Sequence, residues 1–462
     1  MWRRRDVIGL IGASAALPAQ PLFAQTAVGG ITTLTARPGM ARLAPPDMPE
    51  TAIWGYDGNV PGPVLRVTQG ERVQVIFQNQ LAQPSTIHWH GLRIDNAMDG
   101  VPELTQKPVA PGEDFLYDFV APDAGTYWYH PHNRTWEQLA RGLYGALIVA
   151  EAQPPVVDRD LPMLLDDWRL TDAAAIDEAS LGAMHDWAHG GRIGNWITVN
   201  GDGEAVLPVQ RYERLRLRLC NTANARIFEL ALKGLAGWVM ALDGQPVPPE
   251  AVPERLTLGP AQRADLIVDV VADEGAEAVL AVIDGDGAFA AVLFPVAGMI
   301  RPAPMPAPAA LTPNPVALPG DLTGAERADL IMEGGAMGGM AGATLRGQQM
   351  PIRELAQNGM AWAFNGVAGM PEQPLMRVDR GRTVRLRMVN DTAWPHAMHL
   401  HGHHFQTVTD EHATGPLRDT LLVQRGETVE IAFVADNPGN WLLHCHMVEH
   451  SAAGMMTWLR VG

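Results

Sequence analysis

Arg214-Leu-Arg-Leu-Arg-Leu219, closed by Asn221 and preceded by Trp196-Ile-Thr-Val-Asn-Gly201, decides the fold. Successive side chains of an extended strand point to opposite faces, so the leucines here share one face and the arginines the other. An apolar row of that kind is buried against a second layer, and Asn and Gly supply turns at its ends. The same unit stands earlier as Trp54-Gly-Tyr-Asp-Gly58, Arg72-Val-Gln-Val-Ile-Phe77 and Asn79. It returns as Trp362-Ala-Phe-Asn-Gly366, Thr383-Val-Arg-Leu-Arg-Met388 and Asn390.

Each copy has a second half. Pro111-Gly-Glu113, Ala261-Gln-Arg263 and Arg425-Gly-Glu427 each precede another strand, then a Gly-containing turn and a final strand. In the first and third copies that final strand carries paired histidines, at Tyr129-His-Pro-His132 and Leu443-His-Cys-His446. In the middle copy the matching stretch, Ala278-Val-Leu-Ala-Val-Ile283, is apolar. Short strands with one buried face predict an all-β chain of three sandwiches. Their expected spans are residues 28–151, 155–300 and 321–462, with the Pro-rich stretch 301–320 as a linker.

Length agrees, since 462 residues correspond to about three domains of ~150 each. The abundance of Pro (37) and Gly (47) favours a turn-rich β protein over helical bundles. A formal charge of −17 makes nucleic acid an unsuitable partner and leaves cations and neutral organic molecules. Arg3, Arg4 and Arg5 precede an apolar run from Val7 to Leu17 and small residues to Ala24. Residues 1–24 thus read as a twin-arginine-type export signal, with the export machinery as a partner and the periplasm as destination. Its removal takes away a net charge of +2 and leaves −19. The expected product is a soluble monomer. Cys220 and Cys445 are the only cysteines, so no disulfide framework is expected, and Cys220 reads as a buried strand residue.

Four His-x-His pairs carry the chemistry: His88/His90, His130/His132, His399/His401 and His444/His446. On a strand each pair presents two imidazoles to one point, and neutral imidazole suits copper, zinc, iron and nickel. Eight paired rings exceed the needs of one ion, so they imply a cluster. Cys445, between His444 and His446, must point away from both, which places a second centre behind the first. His450 and Met455 follow it, and His396 precedes the third pair, completing a two-His, one-Cys, weak-Met set. Such a set suits a redox-active copper, whereas zinc gains nothing from the thioether.

In order and spacing these motifs resemble the three-domain multicopper oxidases of the laccase and copper-efflux-oxidase type. The resembling stretch runs from about Thr35 to the C-terminus and includes His88-Trp-His-Gly91 and His396-x-x-His399-x-His401-Gly402. It implies cupredoxin-like Greek-key sandwiches and four copper ions. Type 1 copper would lie on His396, Cys445, His450 and Met455, and type 2 copper on His88 and His399. The type 3 pair would take His90, His130, His132, His401, His444 and His446. The implied activity passes single electrons from type 1 copper through Cys445 to the cluster, where dioxygen becomes water. The resemblance also makes Asp99 the acid beside the type 2 copper. It departs where a second acid would follow the last type 1 histidine: Ser451 stands there, leaving Glu449 or ordered water to deliver protons.

The electron donor is less decided. Met332, Met337, Met340 and Met350 open a run of seven methionines that resembles the Met-rich insert of copper-efflux oxidases, and the Gly-rich stretch Glu333–Gly342 places its side chains near the surface. With Asp391 they are the candidate residues for cuprous ion. Asp391 is displaced by one place from the family position, however, and Trp394 stands where a methionine would. A phenolic donor against that Trp is the second reading. A copper-free assembly protein of the same fold is the third, and such relatives lack ligands that this chain retains. His185, His189, His403, His404 and His412 are expected to be isolated surface residues or supports behind the ligands.

Overall fold

The computed structural model describes residues 25–27, 30–285 and 287–462; the export-signal reading of 1–24 lies outside them. The threefold repeat appears as the same row of four strands built three times. The first row runs Thr51–Tyr56, Ile31–Ala41, Arg72–Asn79, Asp114–Val120. The second runs Trp196–Val199, Arg159–Trp168, Arg214–Asn221, Arg263–Val270, and the third Trp362–Phe364, Glu326–Gly334, Thr383–Asn390, Thr428–Val434. In every row the repeated strand is parallel to its predecessor and antiparallel to its successor. A second sheet packs on each row, giving three cupredoxin-like β-sandwiches, each with its own apolar core.

The second sheets position the histidines. Gly125–His130 lies between His88–His90 and Gly145–Ala150. Gly439–Cys445 lies between His396–Leu400 and Met456–Val461. In the middle unit the corresponding strand, Glu277–Asp284, lies between Phe228–Lys233 and Gly287–Met299. Phe228 and Leu230 face the core there, so apolar packing occupies the place of imidazoles.

The repeat predicts one buried face, and in Arg214–Asn221 both faces are covered; every residue of the strand is buried. Its arginines meet carboxylates at the boundary with the first unit, Arg216 on Glu151 and Arg218 on Asp160 and Asp265. Cys220 is buried as expected, and burial raises its thiol pKa. The stretch 301–320 forms no helix or strand, yet it is tied down. The Asn314 amide donates to the Ala124 carbonyl at 2.8 Å and accepts from the Gln69 amide at 3.2 Å. First and third units touch through Asn96, whose amide donates to the Asn440 carbonyl at 2.7 Å. Among the described residues no helix is long and apolar enough to cross a membrane.

Candidate metal centre

Strand register brings the four pairs together. His88 lies opposite His130, and His399 lies opposite His444. The first and third sheets then face each other, with the His90 and His399 ring centroids 3.8 Å apart and those of His88 and His401 4.0 Å apart. His401 Nε2 is 3.2 Å from His444 Nε2, and His446 Nε2 is 3.4 Å from His130 Nε2. All eight rings thus converge on one buried volume between the first and third units.

Alternation sends Cys445 the other way. Its Sγ is 3.7 Å from both His396 Nδ1 and His450 Nδ1, which are 3.2 Å from each other. The centre of that triangle is about 2 Å from all three atoms, close to a metal–imidazole bond length. Both rings are held from behind: His396 Nε2 is 2.8 Å from the Thr392 hydroxyl, and His450 Nε2 donates to the His189 carbonyl at 2.7 Å. Met455 is buried in the same core, and its carbonyl accepts from the Cys445 N–H at 3.1 Å.

Hydrogen bonds set the tautomers of the cluster. Nδ1 donates to a backbone carbonyl in His88 (Asp99), His130 (Pro131), His399 (Asp419) and His444 (Cys445), at 2.7 to 2.9 Å. The opposite nitrogen then carries a lone pair, as a metal ligand must. His88 Nε2, His90 Nδ1, His132 Nε2, His399 Nε2 and His446 Nδ1 are buried without a hydrogen-bond partner. Unsatisfied buried nitrogens are costly, and five in one cluster are what a set of metal ligands requires. Donor chemistry and geometry both fit copper.

Burial holds these rings neutral: it lowers the pKa of His444 and His450 to about 4 and depresses His90, His132, His399 and His401 as well. The metal-free protein is therefore acid-labile. Its unfolded chain takes up protons below about 6.5 that the folded rings refuse until about 4. Stability present above the upper value is lost as pH falls through that window, by on the order of a few kcal/mol per ring. Thermal melting of metal-free protein from neutral pH to 4 measures it; a flat profile contradicts it.

Asp99 lies against two of the clustered rings. Its buried carboxylate reaches His401 Nδ1 at 2.9 Å and His88 Nδ1 at 3.2 Å. Glu449, the other acid considered for proton delivery, is also buried. Burial raises its pKa to about 7, but its carboxylate turns to the Asn224 amide at 2.6 Å. Ser451 instead lines a cavity of about 270 Å³ that reaches His132 and His444 between Trp136 and Met456. No carboxylate is among the residues that line it.

The methionine set is not one cluster. Met332 is fully buried in the core of the third sandwich, because alternation along Glu326–Gly334 turns it and Leu330 onto the core face. Met340 and Met350 pack on a small apolar cluster around Ala343 and Leu355. Met337 is 77% exposed, and Asp391 is exposed with its N–H on the Met332 carbonyl. His185 and His189 are not isolated either: their rings stack at 4.1 Å, and Trp394 lies 5.5 Å from His189. His403 and His404 are buried, His404 Nε2 lying 3.7 Å from an Asp419 oxygen, while His412 is exposed.

Sequence reasoning missed Asp419, Thr420 and Arg263. The Thr420 hydroxyl is 3.2 Å from His399 Nδ1 and 3.4 Å from His90 Nε2, and Asp419 Oδ1 is 3.2 Å from the same His90 nitrogen. Arg418-Asp-Thr420 carries no local signal of this role; it acquires one when Thr420–Val423 pairs beside His396–Leu400.

Multicopper oxidase family models match residues 39–154, 159–282 and 346–462. The multicopper oxidase MmcO of Mycobacterium tuberculosis is 31% identical, over 98% of this chain and 91% of its own length. The chain belongs to the multicopper oxidase family. It is an oxidoreductase by that membership. The solved structure of Lac15 from a marine microbial metagenome is 43% identical, with a TM-score of 0.76 over 93% of this chain and 100% of that one. A copper resistance protein A homolog of Pseudomonas syringae is 25% identical over 88% of each chain.

Proposed function

We propose that this multicopper oxidase takes single electrons from cuprous ion and delivers them to dioxygen, forming water, in the periplasm. The observation that carries the oxidase reading is Cys445, aimed at His396 and His450 while its chain neighbours His444 and His446 enter the other cluster. Bound copper would supply one-electron chemistry at the first site and four-electron reduction of dioxygen at the second. His396, Cys445, His450 and Met455 are the type 1 set. His88 and His399 form the type 2 set, supported by their unpartnered Nε2 atoms. His132, His401 and His444 lie close enough to hold one type 3 ion, and His90, His130 and His446 serve the other. Asp99 holds His401 and His88 in place and is a buried acid at the cluster able to hold a proton for the reaction. The cavity beside His132 and His444 is the path for dioxygen and water.

The covering of the type 1 set favours a small donor. His396 and His450 have no exposed surface, and the His450 N–H is already bonded to the His189 carbonyl. A phenol therefore has no imidazole edge to hydrogen-bond. The exposed Met337 thioether follows Ala336, whose N–H is bonded to the Ala188 carbonyl, so soft-ligand chemistry sits near this cover. Trp394, against His189, is the one feature favouring an aromatic donor. Steady-state oxidation of cuprous ion and of a phenol, in wild type and Met337→Leu, separates the two. We expect the variant to lose cuprous turnover ~10-fold while keeping its blue colour, on the scale of removing a supporting metal contact. High phenol turnover with unchanged cuprous turnover would establish the laccase reading. A protein that refuses copper would return the assembly reading.

A further inference from the structure

The middle unit carries none of the clustered imidazoles, yet one of its side chains reaches them. Arg263 is completely buried, and its guanidinium grips Asp419 of the third unit through both nitrogens, Nη1 to Oδ1 at 2.8 Å and Nη2 to Oδ2 at 2.6 Å. Its Nε donates to the Thr126 carbonyl of the first unit at 3.2 Å. From behind, its own N–H donates to Asp243, and the other oxygen of that carboxylate accepts from Arg418 at 2.7 Å. All three units therefore meet at one guanidinium. Burial opposes charge on Asp419, but Arg263 overrides it and holds the carboxyl below its usual range.

We infer that Arg263 and Asp419 are positioning residues for the oxygen-reducing cluster: Arg263 fixes Asp419, and Asp419 fixes the ring of His90. The inference rests on the copper assignment above. Asp419 Oδ1 accepts from His90 Nε2 at 3.2 Å, and the opposite nitrogen, Nδ1, is buried without a partner. The ring is thereby turned end for end relative to His88 and His399, whose unpartnered atom is Nε2. A fixed carboxylate on one edge selects which nitrogen keeps its proton and which way the other points. Backbone geometry is built around the same contact. Gly91, directly after His90, has φ +87°, and a side chain there would collide with the Arg263 guanidinium and the Asp419 carboxylate. His404 Nε2 adds a contact at 3.7 Å from the other Asp419 oxygen. The geometry gives the ligand-free middle sandwich a function at the cluster.

The test uses copper-loaded Asp419→Ala, Arg263→Met and Arg263→Lys beside wild type. Readouts are the blue absorption, the near-ultraviolet absorption of a coupled copper pair, copper stoichiometry and dioxygen consumption. We expect Asp419→Ala and Arg263→Met to keep the blue band but lose the near-ultraviolet band and ~10-fold or more of dioxygen turnover, the range for residues that orient metal-bound histidine. Arg263→Lys retains the charge without the planar fork and falls between. Preserved melting temperature in Arg263→Lys, with an altered near-ultraviolet band, separates positioning from general support of the fold. An unchanged band and turnover in Asp419→Ala overturn the inference. It is also overturned if Asp419→Ala removes a copper while Arg263→Met changes nothing, because Asp419 would then be a ligand itself. A wild type that never turns blue defeats the oxidase reading instead.

Discussion

Cys445→Ser leaves a folded protein without blue colour and without measurable turnover. The thiol is fully buried, and with no metal present burial raises its pKa to about 12. The thiolate therefore forms only where an ion repays the charge, and the triangle with His396 and His450 is where that ion fits. Serine has nearly the same shape but offers a hard oxygen that stays protonated. The soft bond is lost, and with it the covalent path from that centre to His444 and His446. The expected fall in dioxygen consumption exceeds the ~100-fold seen when only a supporting contact is removed. A buried hydroxyl in this apolar core costs about 1–3 kcal/mol, so the variant is somewhat less stable but folded. Copper analysis, visible absorption and oxygen uptake check all three statements; retained blue colour contradicts the assignment.

Asp265→Ala has the largest expected effect on stability. Its buried carboxylate accepts from Arg216 at 2.7 Å, Arg218 at 3.0 Å and the Thr126 hydroxyl at 2.6 Å, joining the middle unit to the first. Glu151 and Asp160 hold the other faces of the two guanidiniums. Removing Asp265 takes the shared acceptor from two buried guanidiniums, each left with one carboxylate, and from the Thr126 hydroxyl, at a cost of about 1–3 kcal/mol for each charge-assisted hydrogen bond lost. Denaturant titration then shows an earlier first transition with a similar slope. Asp329→Ala is the matched control. Asp329 pairs with Arg387 of the equivalent strand in the third unit at 2.7 Å, but both side chains are about half exposed (52% and 53%). Water replaces that contact, so the midpoint stays where it was. Equal destabilisation by both changes would contradict the burial argument.

The periodic features were legible because they are local. Alternation along a strand is a property of the backbone, so Arg214-Leu-Arg-Leu-Arg-Leu219 could be read as a sandwich strand without its partners. The same alternation showed that His444 and His446 share a side and that Cys445 faces away. The family resemblance supplied Asp99, and the structure puts it beside His88 and His401.

Contacts between the sandwiches were not legible. Nothing in the sequence says what the arginines of the middle unit face, and packing against the first unit makes them a buried ion network. Met332 reads as one of a methionine run offered to cuprous ion and lies in a core, because its side of Glu326–Gly334 faces a sheet assembled from distant segments. The His189 cap on His450 and the Arg263–Asp419 grip join residues far apart in the chain. No periodicity encodes such pairs. Side-chain direction follows from backbone geometry over a few residues, whereas which faces meet is chosen by the packing of three separate cores, and only the folded chain contains that choice.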